Sequence, residues 1–108
     1  MDNKKQKRAI AELEAVSHHI PGVLRTGRKT YWSIVKFESD DNFNKGTLWH
    51  LHVTFEGNPN PSQDKFLTTV GLLSADGPEH LLYKGSKFVL IGDDLKTVKA
   101  KGIVIDLK

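Results

Sequence analysis

The stretch T47-L-W-H-L-H-V-T-F-E56 decides the fold. Its apolar residues recur every second position. Thr47, Trp49, Leu51, Val53 and Phe55 would share one face of an extended chain, and Leu48, His50, His52 and Thr54 the other. A period of two over ten residues predicts a strand with one side in a core. Working outward, Y31-W-S-I-V-K-F37, F66-L-T-T-V-G-L-L73, K87-F-V-L-I91 and T97 to L107 repeat the pattern. The loop D40-D-N-F-N-K-G46, the proline-bearing G57-N-P-N-P-S-Q-D64 and the turn A75-D-G-P-E79 separate them. Gly71, inside a strand pattern, marks a bulge or a point of close approach.

Ahead of these strands the spacing changes. Asn3 can cap a helix, with Gln6 three residues on. Ile10, Leu13, Val16 or Ser17, and Ile20 then fall on one helical stripe, and Pro21-Gly22 ends it. The sequence therefore predicts a helix over 4–19 and a barrel over 30–108, in one domain spanning 1–108. The fold class expected is mainly β: a small antiparallel β-barrel of five or six strands, with one N-terminal helix across an open end or edge.

Composition limits the function. A chain of 108 residues can bury a core unaided. It has no cysteine, which excludes disulfides and thiolate metal sites and favours a cytoplasmic setting. No apolar run approaches membrane-spanning length, and no apolar segment follows M1-D-N-K-K-Q-K-R8 to make a secretory signal. The net charge of +3 is unevenly placed. Residues 1–36 hold eight bases against three acids, and the other 72 hold eight bases against ten acids. A basic arm of this kind meets nucleic acid or an acidic protein when it is more than a solvated surface.

Chemical signatures are sparse. His50 and His52, two apart on a strand, could reach one ion, but a zinc site needs a third protein ligand. His18, His19 and His80 bring no ligand motif with them. The chain lacks a phosphate loop, a Gly-x-Ser-x-Gly elbow and a thiol nucleophile. The pairs Asp40-Asp41 and Asp93-Asp94 belong to turns. No cofactor, no nucleotide and no catalytic residues are expected. The working surface predicted is basic and aromatic: Lys4, Lys5, Lys7 and Arg8, then Arg25, Arg28 and Lys29, with Tyr31 or Trp32 as the ring. Tyr31 and Trp32 are adjacent, so one of them faces outward.

The last third of the chain adds a resemblance. L82-Y-K-G-S-K-F-V-L-I91 followed by T97-V-K-A-K-G-I-V-I-D-L107 is similar to the closing strands of the third domain of elongation factor Tu and its relatives. Gly85, Lys87, Phe88 and Leu90 match the first strand of that pattern, and Thr97, Val98, Gly102 and Val104 the second. Phe88 and Leu90 would share an inner face, and Gly102 would permit the bend of a small closed barrel. The family's Arg-Glu-Gly-Gly turn is replaced by I91-G-D-D94, and Leu95 and Lys96 lengthen the connection. The resemblance implies a translation-factor-type barrel that docks on RNA or protein, without a GTPase domain. The expectation is thus a small non-enzymatic binding module with RNA or an acidic protein as partner. The alternatives are an inhibitor or immunity-type protein partner and, third, a metal enzyme built on His50 and His52.

Overall fold

A computed structural model of the chain describes residues 7–39, 48–73 and 77–108. Its strands are β1 (Arg8–Ala15), β2 (Thr30–Phe37), β3 (Trp49–Phe55), β4 (Lys65–Leu72), β5 (Lys87–Ile91) and β6 (Val98–Leu107). A seven-residue helix, α1 (His19–Arg25), joins β1 to β2, and a 3-10 turn, Glu79–Leu81, precedes β5. The strands close into a barrel in the order β1-β4-β3-β2-β5-β6, every pair antiparallel. The mainly β, six-stranded antiparallel barrel expected from the alternating segments is therefore the observed fold.

The helix expected over 4–19 is not. Arg8–Ala15 is strand β1, and the barrel starts there rather than at residue 30. The segment R8-A-I-A-E-L-E-A15 carries two periods at once. Ile10 and Leu13 suit a helix, but Ala9, Ala11 and Leu13 alternate and all are fully buried. Alanine's high helix propensity is worth only a fraction of a kcal/mol per residue. The pairing of β1 with both β4 and β6 outweighs it, since without β1 each of those strands would present an open edge. Val16, placed on the helical stripe, is half exposed. The capping residue Asn3, the loop 40–46 and Thr47 lie outside the described residues.

A helix does pack across the barrel, but it is α1. Pro21-Gly22, read as a terminator, lies within it. Proline is tolerated there because the N–H groups of the first turn have no partner inside a helix. Ile20 and Leu24 join the core, with the helix resting against β1 and β6. Gly27, at φ +84°, ends it and donates its N–H to the Leu24 carbonyl.

Two aromatic contacts organise the interior. Phe55 meets Phe66 edge to face at 5.7 Å between centroids, and Phe37 meets Phe88 at 5.9 Å. Phe88 and Leu90 both point inward, as anticipated. Gly102 has a more specific purpose than a bend. A Cβ there would lie 2.3 Å from Phe88 Cζ and 2.9 Å from Leu13 Cδ2. The Phe88 ring occupies the space that a side chain on β6 would take. Gly102→Ala should therefore destabilise the fold by about 1–3 kcal/mol, the usual cost of overpacking, measured by urea unfolding.

The β5–β6 turn is held by Asp94. Its carboxylate accepts the backbone N–H groups of Lys96 and Thr97, each at 2.9 Å, and the Thr97 hydroxyl. Those bonds, the Thr97 hydroxyl first, hold the Asp94 carboxyl down at about 2. The lengthened connection places Leu95 at φ +60°, an uncommon conformation for a branched residue. Because the folded state keeps Asp94 charged, its contribution is present above the ordinary carboxyl range near ~4 and fades as pH falls through about 2. Asp94→Ala should lower Tm at neutral pH, and the gap from wild type should close progressively between about pH 4 and 2.

Candidate nucleic-acid interface

The outer face of β3 carries the two histidines. His50 is exposed and His52 half-buried, while Leu51, Val53 and Phe55 line the core. The wall of a barrel is thus what L48-W-H-L-H-V-T-F55 builds. Among the described residues no group of three His, Asp or Glu side chains comes together to hold a metal ion.

His52 belongs instead to a cross-strand row. It pairs with Trp32 on β2 and with Gly71 on β4, and Gly71 pairs with Arg8 on β1. Trp32, imidazole, bare backbone and guanidinium therefore follow one another around the outside of the barrel. Three strand spacings of ~4.8 Å make the row about 14 Å long. The next row, Thr30, Thr54, Thr69 and Ile10, forms its shoulder. Between them lies a groove of about 290 Å³ lined by Lys7, Arg8, His52, Thr54, Thr69, Gly71 and Leu73.

Alternation along β2 settles the choice between the two adjacent rings. Trp32 is 62% exposed, and Tyr31 at 8% belongs to the core, with Lys99 Nζ 5.4 Å from its ring centroid. Tyr31 does not reach the predicted surface. Arg25 lies at the end of α1 and Arg28 and Lys29 in the loop feeding β2, all exposed. Lys29 is anchored by its carbonyl, which accepts the Phe55 N–H at 2.8 Å. That places Arg28 and Lys29 just upstream of Trp32 along β2. Lys7 and Arg8 come to the groove from β1, and Lys4 and Lys5 lie outside the described residues.

Lys108 is a contributor that the sequence reading did not include. Its backbone N–H donates to the Arg8 carbonyl at 3.1 Å, and its ammonium donates to the Thr69 hydroxyl at 3.2 Å. The Thr69 hydroxyl in turn donates to the Glu56 carboxylate at 2.5 Å. Glu79 accepts the Lys7 backbone N–H at 2.9 Å. The groove thus carries the cations Lys7 and Arg8, with Lys108 joined to it through Thr69, and the carboxylates Glu56 and Glu79 lie at its edge. Nothing in the isolated sequence pointed to Lys108, because only barrel closure brings β6 beside Arg8.

A second groove, of about 470 Å³, runs over β2, β5 and β6 and is lined by Lys36, Lys87 and Lys101 with Glu38. Toward β1, acids join the lysines of this groove. Glu14 sits between Lys65 and Lys101 in register, and Glu12 shares the neighbouring hollow. Such opposite-charge cross-strand pairs stabilise a sheet. Trp32 lies on the other groove's face.

No family model, characterised protein or solved structure matches this chain. No helix among the described residues is long and apolar enough to cross a membrane. The exposure of the two tryptophans gives a direct check on the geometry. Trp32 stands out in solvent and Trp49 is half-buried against the core. Acrylamide should quench two distinct fluorescence components, and Trp32→Phe should remove the more accessible one while leaving Tm within about 1–3 °C, as expected for an exposed position.

Proposed function

We propose that the protein is a non-catalytic binding module for single-stranded RNA, and that the Trp32–His52–Gly71–Arg8 row is its contact surface. The observation that carries this reading is Trp32. A tryptophan 62% exposed on a sheet face, in one row with Arg8, leaves most of a large apolar ring in solvent. Rings and cations set along one path are the arrangement by which single strands are held, and here Trp32 and Arg8 mark the two ends of a row three strand spacings long. Bases stack on the ring, and phosphates meet lysine and arginine.

The curvature of the outer face favours a single strand over a duplex. A small barrel presents a convex sheet, which one strand can follow. Unstacked bases are also available to an aromatic side chain, whereas duplex bases are not. Arg25, Arg28 and Lys29 would extend the phosphate track past Trp32, and Lys7, Arg8 and Lys108 would hold its far end. The likeness of the closing strands to the third domain of elongation factor Tu fits a barrel that docks rather than catalyses. Fold likeness by itself assigns no partner.

An acidic protein is the second reading, favoured by the same row, because Trp and Arg are also the residues that dominate protein interfaces. The two part on competition. Under the RNA reading, a labelled 12-nucleotide single strand binds, and the affinity falls about a hundredfold between 50 and 500 mM salt. That fall is what about three neutralised phosphates give on a single strand. Arg8→Ala and Trp32→Ala each weaken binding about fivefold or more, and duplex RNA of equal length competes poorly. Anisotropy titration measures all of these. Salt-insensitive binding, or equal affinity for the duplex, would overturn the proposal.

A further inference from the structure

The middle of the proposed surface holds a glycine that the fold does not require. Gly71 lies inside β4 with strand partners on both sides, His52 on β3 and Arg8 on β1. It is not among the residues of positive φ, so its backbone is one that any residue adopts. Nor does packing demand it. A Cβ there would sit 3.4 Å from the Lys7 carbonyl oxygen and 3.6 Å from Arg8 Cγ, which is ordinary contact. Gly102 shows what a packing requirement looks like in this barrel, with 2.3 Å to a buried ring. A glycine in a strand interior weakens the strand by entropy and by lost cross-strand packing. At Gly71 that weakness returns nothing to the fold.

Its effect is a notch. The backbones of His52 and Arg8 stand two strand spacings apart, about 10 Å, with a glycine between them and the Arg8 stem along one wall. Imidazole on one side and guanidinium on the other are both planar and both stack on aromatic rings. Lys7 and Lys108 lie at the rim, where a phosphate joined to a ring in the notch would fall. We infer that the Gly71 notch is a nucleobase pocket: one base of the bound single strand seats over Gly71 between His52 and Arg8, next to the base that stacks on Trp32. The inference rests on the single-stranded RNA reading above and adds a site to it.

The test separates the pocket from the general affinity. Gly71→Val, and Gly71→Ala as the smaller change, fill the notch and remove no charge, although the new side chain rests against the Arg8 stem. Both variants should fold, with Tm unchanged or raised by about 2–6 °C, because a strand glycine is replaced by a better strand former. Binding of the 12-nucleotide RNA should fall about tenfold for Gly71→Val, the loss of one stacked base, and less for Gly71→Ala. A 12-unit abasic ribose-phosphate chain, which has the same charges and no bases, should bind wild type and Gly71→Val equally. Undiminished RNA binding by a folded Gly71→Val overturns the pocket and leaves the RNA reading standing. An equal loss for RNA and for the abasic chain also overturns the pocket, since the valine would then be disturbing phosphate contacts. Failure of wild type to bind either chain overturns both proposals together.

Discussion

Closure by β1 is the constraint on which the rest of this structure depends. Strands β2, β3 and β4 form one consecutive run and β5 and β6 a hairpin, joined edge to edge through β2 and β5. That leaves β4 and β6 facing each other across a gap, each with a row of unpaired backbone groups. Only β1 fills it, and the register shows how tightly the fit is drawn. Leu13 lies opposite Phe66 on one side and Gly102 on the other, and Gly102 is bare so that Phe88 and Leu13 can approach. Ala9 and Ala11 complete the inner face of β1. A small barrel has room for bulky residues only where a facing strand gives way, so large and small alternate around its interior.

That constraint explains which parts of the fold could be read from the chain. Each strand from β2 to β6 is rich in β-branched and aromatic residues between turn signals, and in β3 the strict alternation also gives the buried face. Its bounds are legible to within a residue or two at either end. β1 could not be recognised the same way. Its inward residues Ala9 and Ala11 are small because the barrel interior requires it, and small residues give a weak alternation. Ile10 and Leu13 meanwhile fall at helical spacing, as do Leu13 and Ile20. What makes it a strand lies 53 and 89 positions beyond Leu13, at Phe66 and Gly102. Local spacing does not contain it. The same holds for Pro21-Gly22, which reads as a stop until the helix is seen to begin only two residues earlier.

The candidate site divides along the same line. Trp32 and the cations around it were visible as composition, and the adjacency of Tyr31 and Trp32 meant that one ring would face out. Which ring it would be depended on the phase of β2, fixed by Val35 and Phe37 in the core. His50 and His52 were legible as an outward pair on one strand. That His52 lies between Trp32 and Gly71 was not, because a row across four strands is a property of register. Lys108 entered only through closure, which lays the end of β6 beside Arg8.

Closure therefore does more than stabilise the fold; it composes the surface. Had residues 4–19 formed a helix, Lys7 and Arg8 would have stood on a separate element, with no fixed distance to Trp32. As a strand between β4 and β6, β1 sets Arg8 opposite Gly71 and holds it there by the same backbone bonds that complete the barrel. The groove is then rigid for the reason the core is rigid. A ladder fixes the backbone that carries Arg8, so binding has only the side chain left to order, which is where preorganised surfaces gain affinity over a charged flexible arm. The split of charge along the sequence thus acquires a geometric meaning: the basic end of the chain is the strand that closes the barrel, and closing it fixes Arg8 in register with Gly71, three strands round from Trp32.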